Sequence, residues 1–153
     1  MKITVRNRQR AVKIDSRWVQ KIARRALAEI LANWLDEAAP LAGLMEIEVT
    51  VIDDATIAEV HREFFDDPAP TDVISFDHGE ILISAETARA NAARYHTTAD
   101  KEIALYTIHG LLHINGYEDK SSAAAGKMRR AQEKILATCL RPAGMGERRS
   151  RTR

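Results

Sequence analysis

An apolar stripe near the start of the chain sets the first constraint on its fold. Val19, Ile22, Ala23, Ala26, Leu27, Ile30, Leu31 and Trp34 recur at helical spacing, which puts them on one face of a helix. With Ser16 as its N-cap, the stripe predicts a helix over 16–37 that ends before Pro40. Residues 46–52, Glu-Ile-Glu-Val-Thr-Val-Ile, alternate as a half-buried strand. Residues 2–6 and 11–14 also alternate, as two short strands that a hairpin can pair.

The rest of the chain is punctuated by caps and breakers. Asp53 and Asp54 cap a helix carrying Ile57, Val60, Phe64 and Phe65, and Asp66-Asp67-Pro68-Ala69-Pro70 breaks it, because proline lacks a donor and restricts its predecessor. Thr71–Phe76 reads as a strand, and Glu80–Ile83 as another after Gly79. Ser84 caps a helix to Tyr95, and Thr97 or Thr98 caps the next, which continues through His113. A last helix over 121–139 turns Met128, Ile135, Leu136 and Leu140 inward. This uneven alternation predicts an α+β fold, a single domain over 1–141 with a small mixed sheet packed with helices. From Pro142 the composition turns to Gly, Ser and Arg, the signature of a basic, disordered tail over 142–153.

Composition narrows the setting. The 153 residues suffice for one buried core, and no apolar run approaches the roughly 18 residues that span a bilayer. The basic, strand-like N-terminus lacks the apolar segment of a secretion signal. Cys139 is the sole cysteine, read as a packed thiol, so the expected compartment is the cytoplasm. Charge is segregated. Residues 1–25 hold nine Lys/Arg and one acid, residues 26–119 nineteen acids and four bases, and residues 120–153 ten bases and two acids. An acidic middle suits a cation, and basic ends, including the arginines at 148–153, suit phosphates.

Residues 102–119, Glu-Ile-Ala-Leu-Tyr-Thr-Ile-His-Gly-Leu-Leu-His-Ile-Asn-Gly-Tyr-Glu-Asp, carry the chemistry. His109 and His113, four apart, share a helix face and can reach one ion. Gly116 can end the helix in the left-handed conformation, letting the chain double back with Glu118 or Asp119. Two imidazoles and a carboxylate form a catalytic zinc set with a fourth position for water. The spacing alone also fits two half-buried histidines without an ion. Zinc proteases of the His-Glu-x2-His type place their general base after the first histidine; here that residue is Gly110, which points away from peptide hydrolysis.

His109-Gly110-Leu111-Leu112-His113-Ile114-Asn115-Gly116-Tyr117-Glu118-Asp119 resembles the signature of the YbeY family of bacterial endoribonucleases. Pro70-Thr71-Asp72-Val73-Ile74-Ser75-Phe76, then Gly79-Glu80-Ile81-Leu82-Ile83-Ser84, is similar to a second family block, and Glu102 falls in place. The likeness runs from about residue 45 to 138, with the same element order upstream. It implies a metal-dependent, single-strand-selective endoribonuclease that matures the 3′ end of 16S ribosomal RNA and acts in ribosome quality control, with the rRNA precursor and the small subunit as partners. It implies one divalent ion, zinc, with manganese or nickel compatible. His109 and His113 would be ligands, and the family's third metal histidine falls at Asp119, with Glu118 as the fallback. Asp72 and Glu102 are possible catalytic contributors, Glu102 as an acceptor for an imidazole N–H or as an ordinary surface acid. Thr71, Asp72 and Ser75 form either a wall of the cleft or a plain turn and strand start, with Thr71 and Asp72 bonding local backbone amides. Where many members have asparagine and arginine, this chain has His61 and Phe65. The departures at 65 and 119 leave open a ribosome- or RNA-binding assembly factor with a structural or vestigial metal site.

Overall fold

A computed structural model describes residues 1–65 and 71–142. The expected proline break at 66–70 and the basic tail from 143 onward lie outside the described residues. Four strands form one sheet: β1 (Lys2–Asn7), β2 (Glu46–Ile52), β3 (Val73–Ser75) and β4 (Glu80–Ser84), in the order β1-β2-β4-β3. β2 runs parallel to β1 and β4, and β3 pairs antiparallel with β4. Among the described residues five α-helices pack with it: α1 (Ser16–Asn33), α2 (Asp54–Phe65), α3 (Ala85–Tyr95), α4 (Ala99–Ile114) and α5 (Ser122–Leu140). The mixed α+β architecture follows the expectation, and no described helix is long and apolar enough to cross a membrane.

The second strand of the expected hairpin, residues 11–14, does not form. The Gln9 amide accepts from Val12 N at 2.9 Å and donates to Val12 O at 2.9 Å, consuming the backbone groups a partner strand would use. β1 pairs instead with β2, Ile3 opposite Ile47 and Val5 opposite Val49, and α1 makes the crossover.

α1 is capped by Asp15, one residue earlier than expected, with Asp15 Oδ1 accepting from Trp18 N at 3.1 Å. It ends at Asn33, short of residue 37. The Asp36 carboxylate accepts from Ala38 N in a local turn that competes with helix. Asn115, only 1% exposed, holds the helix end in place: its amide donates to Trp34 O and accepts from Asp36 N, both at 3.0 Å. Losing one partner of such a buried pair costs about 1–3 kcal/mol, so Asn115 joins the end of α1 firmly to the end of α4. On α5, Met128 and Ile135 are buried as expected, but Leu140 is 40% exposed and the buried residue of that turn is Cys139. Burial pushes the Cys139 thiol up to about 11, which keeps it protonated and unreactive.

α4 is the axis of the domain, buried at ten of its sixteen positions and packed by α1, α3, α5, β3 and β4. A helix apolar on nearly every side belongs in a core. Ile103, Ile108, Leu111, Leu112 and Ile114 are fully buried, each worth about 1.5–3 kcal/mol in burial. This packing holds rigid the element that carries both histidines.

Candidate metal centre

α4 ends as its sequence anticipates. Gly116 takes φ +89°, Gly116 N donates to His113 O at 3.0 Å, and Tyr117 N donates to Leu112 O at 2.9 Å. This paired closure caps the last carbonyls and reverses the chain. There is little room beside it, since Ala39 Cβ and Asp36 Oδ2 lie 3.4 and 3.5 Å from where a Cβ would stand. The reversal carries Asp119 back over the helix, its carboxylate 3.4 Å from His113 Nε2 and 3.8 Å from His109 Nε2. The two Nε2 atoms are 3.0 Å apart. Among the described residues, His109, His113 and Asp119 form the one group of three or more His, Cys, Asp or Glu side chains with ligand geometry. Glu118 lines the adjoining cleft but is not in the group.

The imidazole hydrogen bonds decide what this group can hold. His113 Nδ1 lies 3.0 Å from the carbonyl of Tyr117, which can only accept, so that nitrogen carries the proton. His109 Nδ1 lies 2.9 Å from Gln132 Oε1, which fixes the same tautomer. With both rings neutral, the two Nε2 lone pairs face each other and a carboxylate oxygen, three acceptors converging without a donor. A cation at the centre resolves that arrangement. For tetrahedral zinc with Zn–N distances of about 2.0–2.1 Å, ligand atoms lie roughly 3.3 Å apart, close to the separations seen. The donor set therefore fits zinc, with acceptors already orienting both rings.

Glu102 is placed elsewhere, and Asp72 is engaged locally. Seven residues is almost two turns, so Glu102 shares a face with His109 but sits about 10 Å along the axis from it. The acceptor for the His109 ring is Gln132, not Glu102. Glu102, 8% exposed, is bonded to the Tyr106 hydroxyl, which itself accepts from Asn91 Nδ2 at 2.6 Å. Asp72 turns its carboxylate to Val73 N at 2.8 Å, the local turn role open to it from sequence. Burial pushes the Glu102 carboxyl up, the Tyr106 hydroxyl offsets part of this, and Asp72 adds like-charge repulsion. The folded protein thus keeps this proton at pH values where the unfolded chain has released it. Stability then falls as pH rises from the ordinary value of 4.5 through the folded value. Glu102→Gln is expected to abolish that fall, so that in thermal melts across the window its pH profile is flatter than wild type; parallel profiles would refute the assignment.

Beside the ligand group opens a cleft of about 660 Å³, lined by His61, Phe65, Thr71, Ser75, His113 and Lys120 among others. Thr71 and Ser75 line its wall. His61 is half-buried, 5.3 Å from the Phe65 ring. Sequence reasoning missed Gln132 altogether, and no local pattern marks it, because it reaches His109 from another helix. It also missed Lys120, whose neighbour Asp119 was the only local hint.

A model of the family described as Endoribonuclease YbeY matches residues 4–139. Endoribonuclease YbeY of Moorella thermoacetica is 36% identical over 128 residues, covering 71% of this chain and 78% of that protein. The Desulfitobacterium hafniense protein of the same name is 36% identical over 110 residues, 60% of this chain and 70% of its own. A solution structure of a Thermotoga maritima protein superposes with a TM-score of 0.62 at 24% identity, covering 97% of this chain and 93% of that one, a likeness of fold. The match thus starts well upstream of residue 45, taking in β1 and α1.

Proposed function

The chain belongs to the YbeY family of endoribonucleases, and from that premise we propose that it is a metal-dependent, single-strand-selective endoribonuclease. It acts in the cytoplasm on the 3′ end of the 16S rRNA precursor and in ribosome quality control, in company with the small subunit. The observation that carries this reading is the convergence of two proton-free imidazole nitrogens and a carboxylate beside an open cleft. His109, His113 and Asp119 hold the ion, zinc by the chemistry of the donors.

A bound ion would polarise a phosphoryl oxygen and offset the negative charge that builds on the non-bridging oxygens. The chain does the rest. Gln132 and the Tyr117 carbonyl keep both imidazoles turned toward the ion. Lys120 adds a cation to a cleft that also holds Asp77 and Glu118. The hydroxyls of Thr71 and Ser75 serve as donors for phosphate or ribose oxygens. His61 and Phe65 offer ring faces to an unstacked base, where the family's arginine would have offered charge. Asp119 brings a formal negative charge in place of a neutral ring, which weakens the ion as a Lewis acid. Peptide chemistry finds no support, because Gly110 packs against Ile81.

The test uses zinc-loaded and chelator-stripped protein on single-stranded and duplex RNA. Cleavage is expected from the loaded protein on the single strand alone, and the end groups will show whether water or the ribose 2′-hydroxyl attacks. Undiminished cleavage by stripped protein would refute the metal's role. RNA binding without cleavage would favour the assembly-factor reading.

A further inference from the structure

An acidic centre suits a cation but repels a polyanion. Around the metal cleft Asp77, Glu118 and Asp119 outnumber Lys120, so the grip on a nucleic-acid backbone must come from elsewhere. Two further clefts adjoin the first. One shares Gly116, Tyr117 and Glu118 with it and adds Trp34 and Lys127. The next, about 530 Å³, keeps Trp34, Tyr117 and Lys127 and runs along α5 past Arg130 and Lys134. Tyr117 lines all three.

The furnishing of this groove is specific. Its floor holds the half-buried rings of Trp34 and Tyr117 and the buried Ala131. The Lys127 ammonium lies 5.7 Å from the centroid of the Tyr117 ring. Lys127, Arg130 and Lys134 fall three and seven residues apart on one helix face. All three are exposed, and none is ion-paired among the described residues. Glu133 is the lone acid of this stretch, while Asp36 and Glu118 line the cleft that joins it to the metal site. Resting on the RNA reading of the metal site, we propose that this groove is the track for single-stranded RNA beyond the scissile region. Bases stack over Tyr117 and Trp34 while phosphates lie along Lys127, Arg130 and Lys134. That combination makes a sequence-tolerant single-strand site, since every base has a face to stack and cations follow any backbone. A second basic groove, with Arg17, Lys21 and Arg24 on α1, shares no lining residue with the metal cleft, so continuity singles out α5.

The experiment measures binding of zinc-loaded protein to a fluorescent oligouridylate of about 16 nucleotides over a salt series. Wild type is compared with Lys127→Ala/Arg130→Ala/Lys134→Ala and with the control Arg17→Ala/Lys21→Ala/Arg24→Ala. Alanine is the strongest helix former, and melting curves confirm that both variants fold. The slope of log affinity against log salt is expected to be shallower in the α5 variant by about 2, three contacts at about 0.7 each. The α1 variant keeps the wild-type slope. An α5 variant with the wild-type slope, or equal losses in both variants, overturns the track. The first of these results would leave the groove to a protein partner. A wild type that binds no RNA at any salt rejects the RNA reading itself, and the track with it.

Discussion

Alanine at position 113 is expected to empty the metal centre and abolish cleavage while the domain stays folded. His113 is a partly exposed side chain, 29% accessible, and its removal costs the core one hydrogen bond to the Tyr117 carbonyl. The ion loses one of two neutral nitrogen donors, and affinity falls on the order of 100-fold or more, beyond the usual cost of losing an outer partner. Gln132→Ala provides the graded comparison. It keeps all three donors and frees only the ring of His109, for a loss of about 10–100-fold. Zinc at about 1,000 times its dissociation constant stabilises a protein by about 4 kcal/mol. The zinc-induced rise in melting temperature therefore ranks the three proteins: wild type first, Gln132→Ala next, His113→Ala last with the smallest rise. Equal metal content and equal shifts in all three would remove the metal assignment.

Gly110→Glu is expected to prevent folding. This substitution would write the zinc-protease pattern into α4, yet position 110 faces the sheet. A Cβ there would stand 2.9 Å from Ile81 Cγ2 and 3.0 Å from Cδ1. Ile81 is fully buried in β4, so it has little room to yield. Overpacking costs about 1–3 kcal/mol, and an unpaired buried carboxylate adds more. Together these rival the roughly 5–15 kcal/mol that holds a domain together. Gly110→Ala is the milder probe. It gains about 1 kcal/mol of helix propensity against the same close contact, for a modest net loss in urea unfolding. A Gly110→Glu protein with the wild-type midpoint would contradict the packing described. Proteolysis of the zincin kind is thus closed to this domain for a steric reason as well as a chemical one.

Local signals in the sequence carried much of this structure and failed where distance mattered. Ser84, Thr98 and Gly116 mark helix boundaries through side-chain or backbone chemistry within a few residues, and such boundaries are legible. Alternation over residues 2–6 identifies a strand face but not its partner. Parallel pairing with residues 46–51 joins segments some forty residues apart, and the hairpin reading had no means to see that. The early end of α1 was hidden for a similar reason: Asn115, which grips it, lies 81 residues away. Periodicity placed Glu102 on the His109 face but gave only the angle, and the axial distance separates the two. Gln132 reaches His109 across 23 residues from a helix whose own pattern speaks only of packing.

The reversal at Gly116 also bears on the order in which the centre comes together during folding. All three donors lie within residues 109–119, so they can meet once the last turns of α4 and the reversal exist. Contacts this local form early, because little chain entropy is spent on closing so short a loop. The acceptor for His109 arrives later, when α5 docks. Docking of α5 is what brings Gln132 to the His109 ring and fixes its orientation.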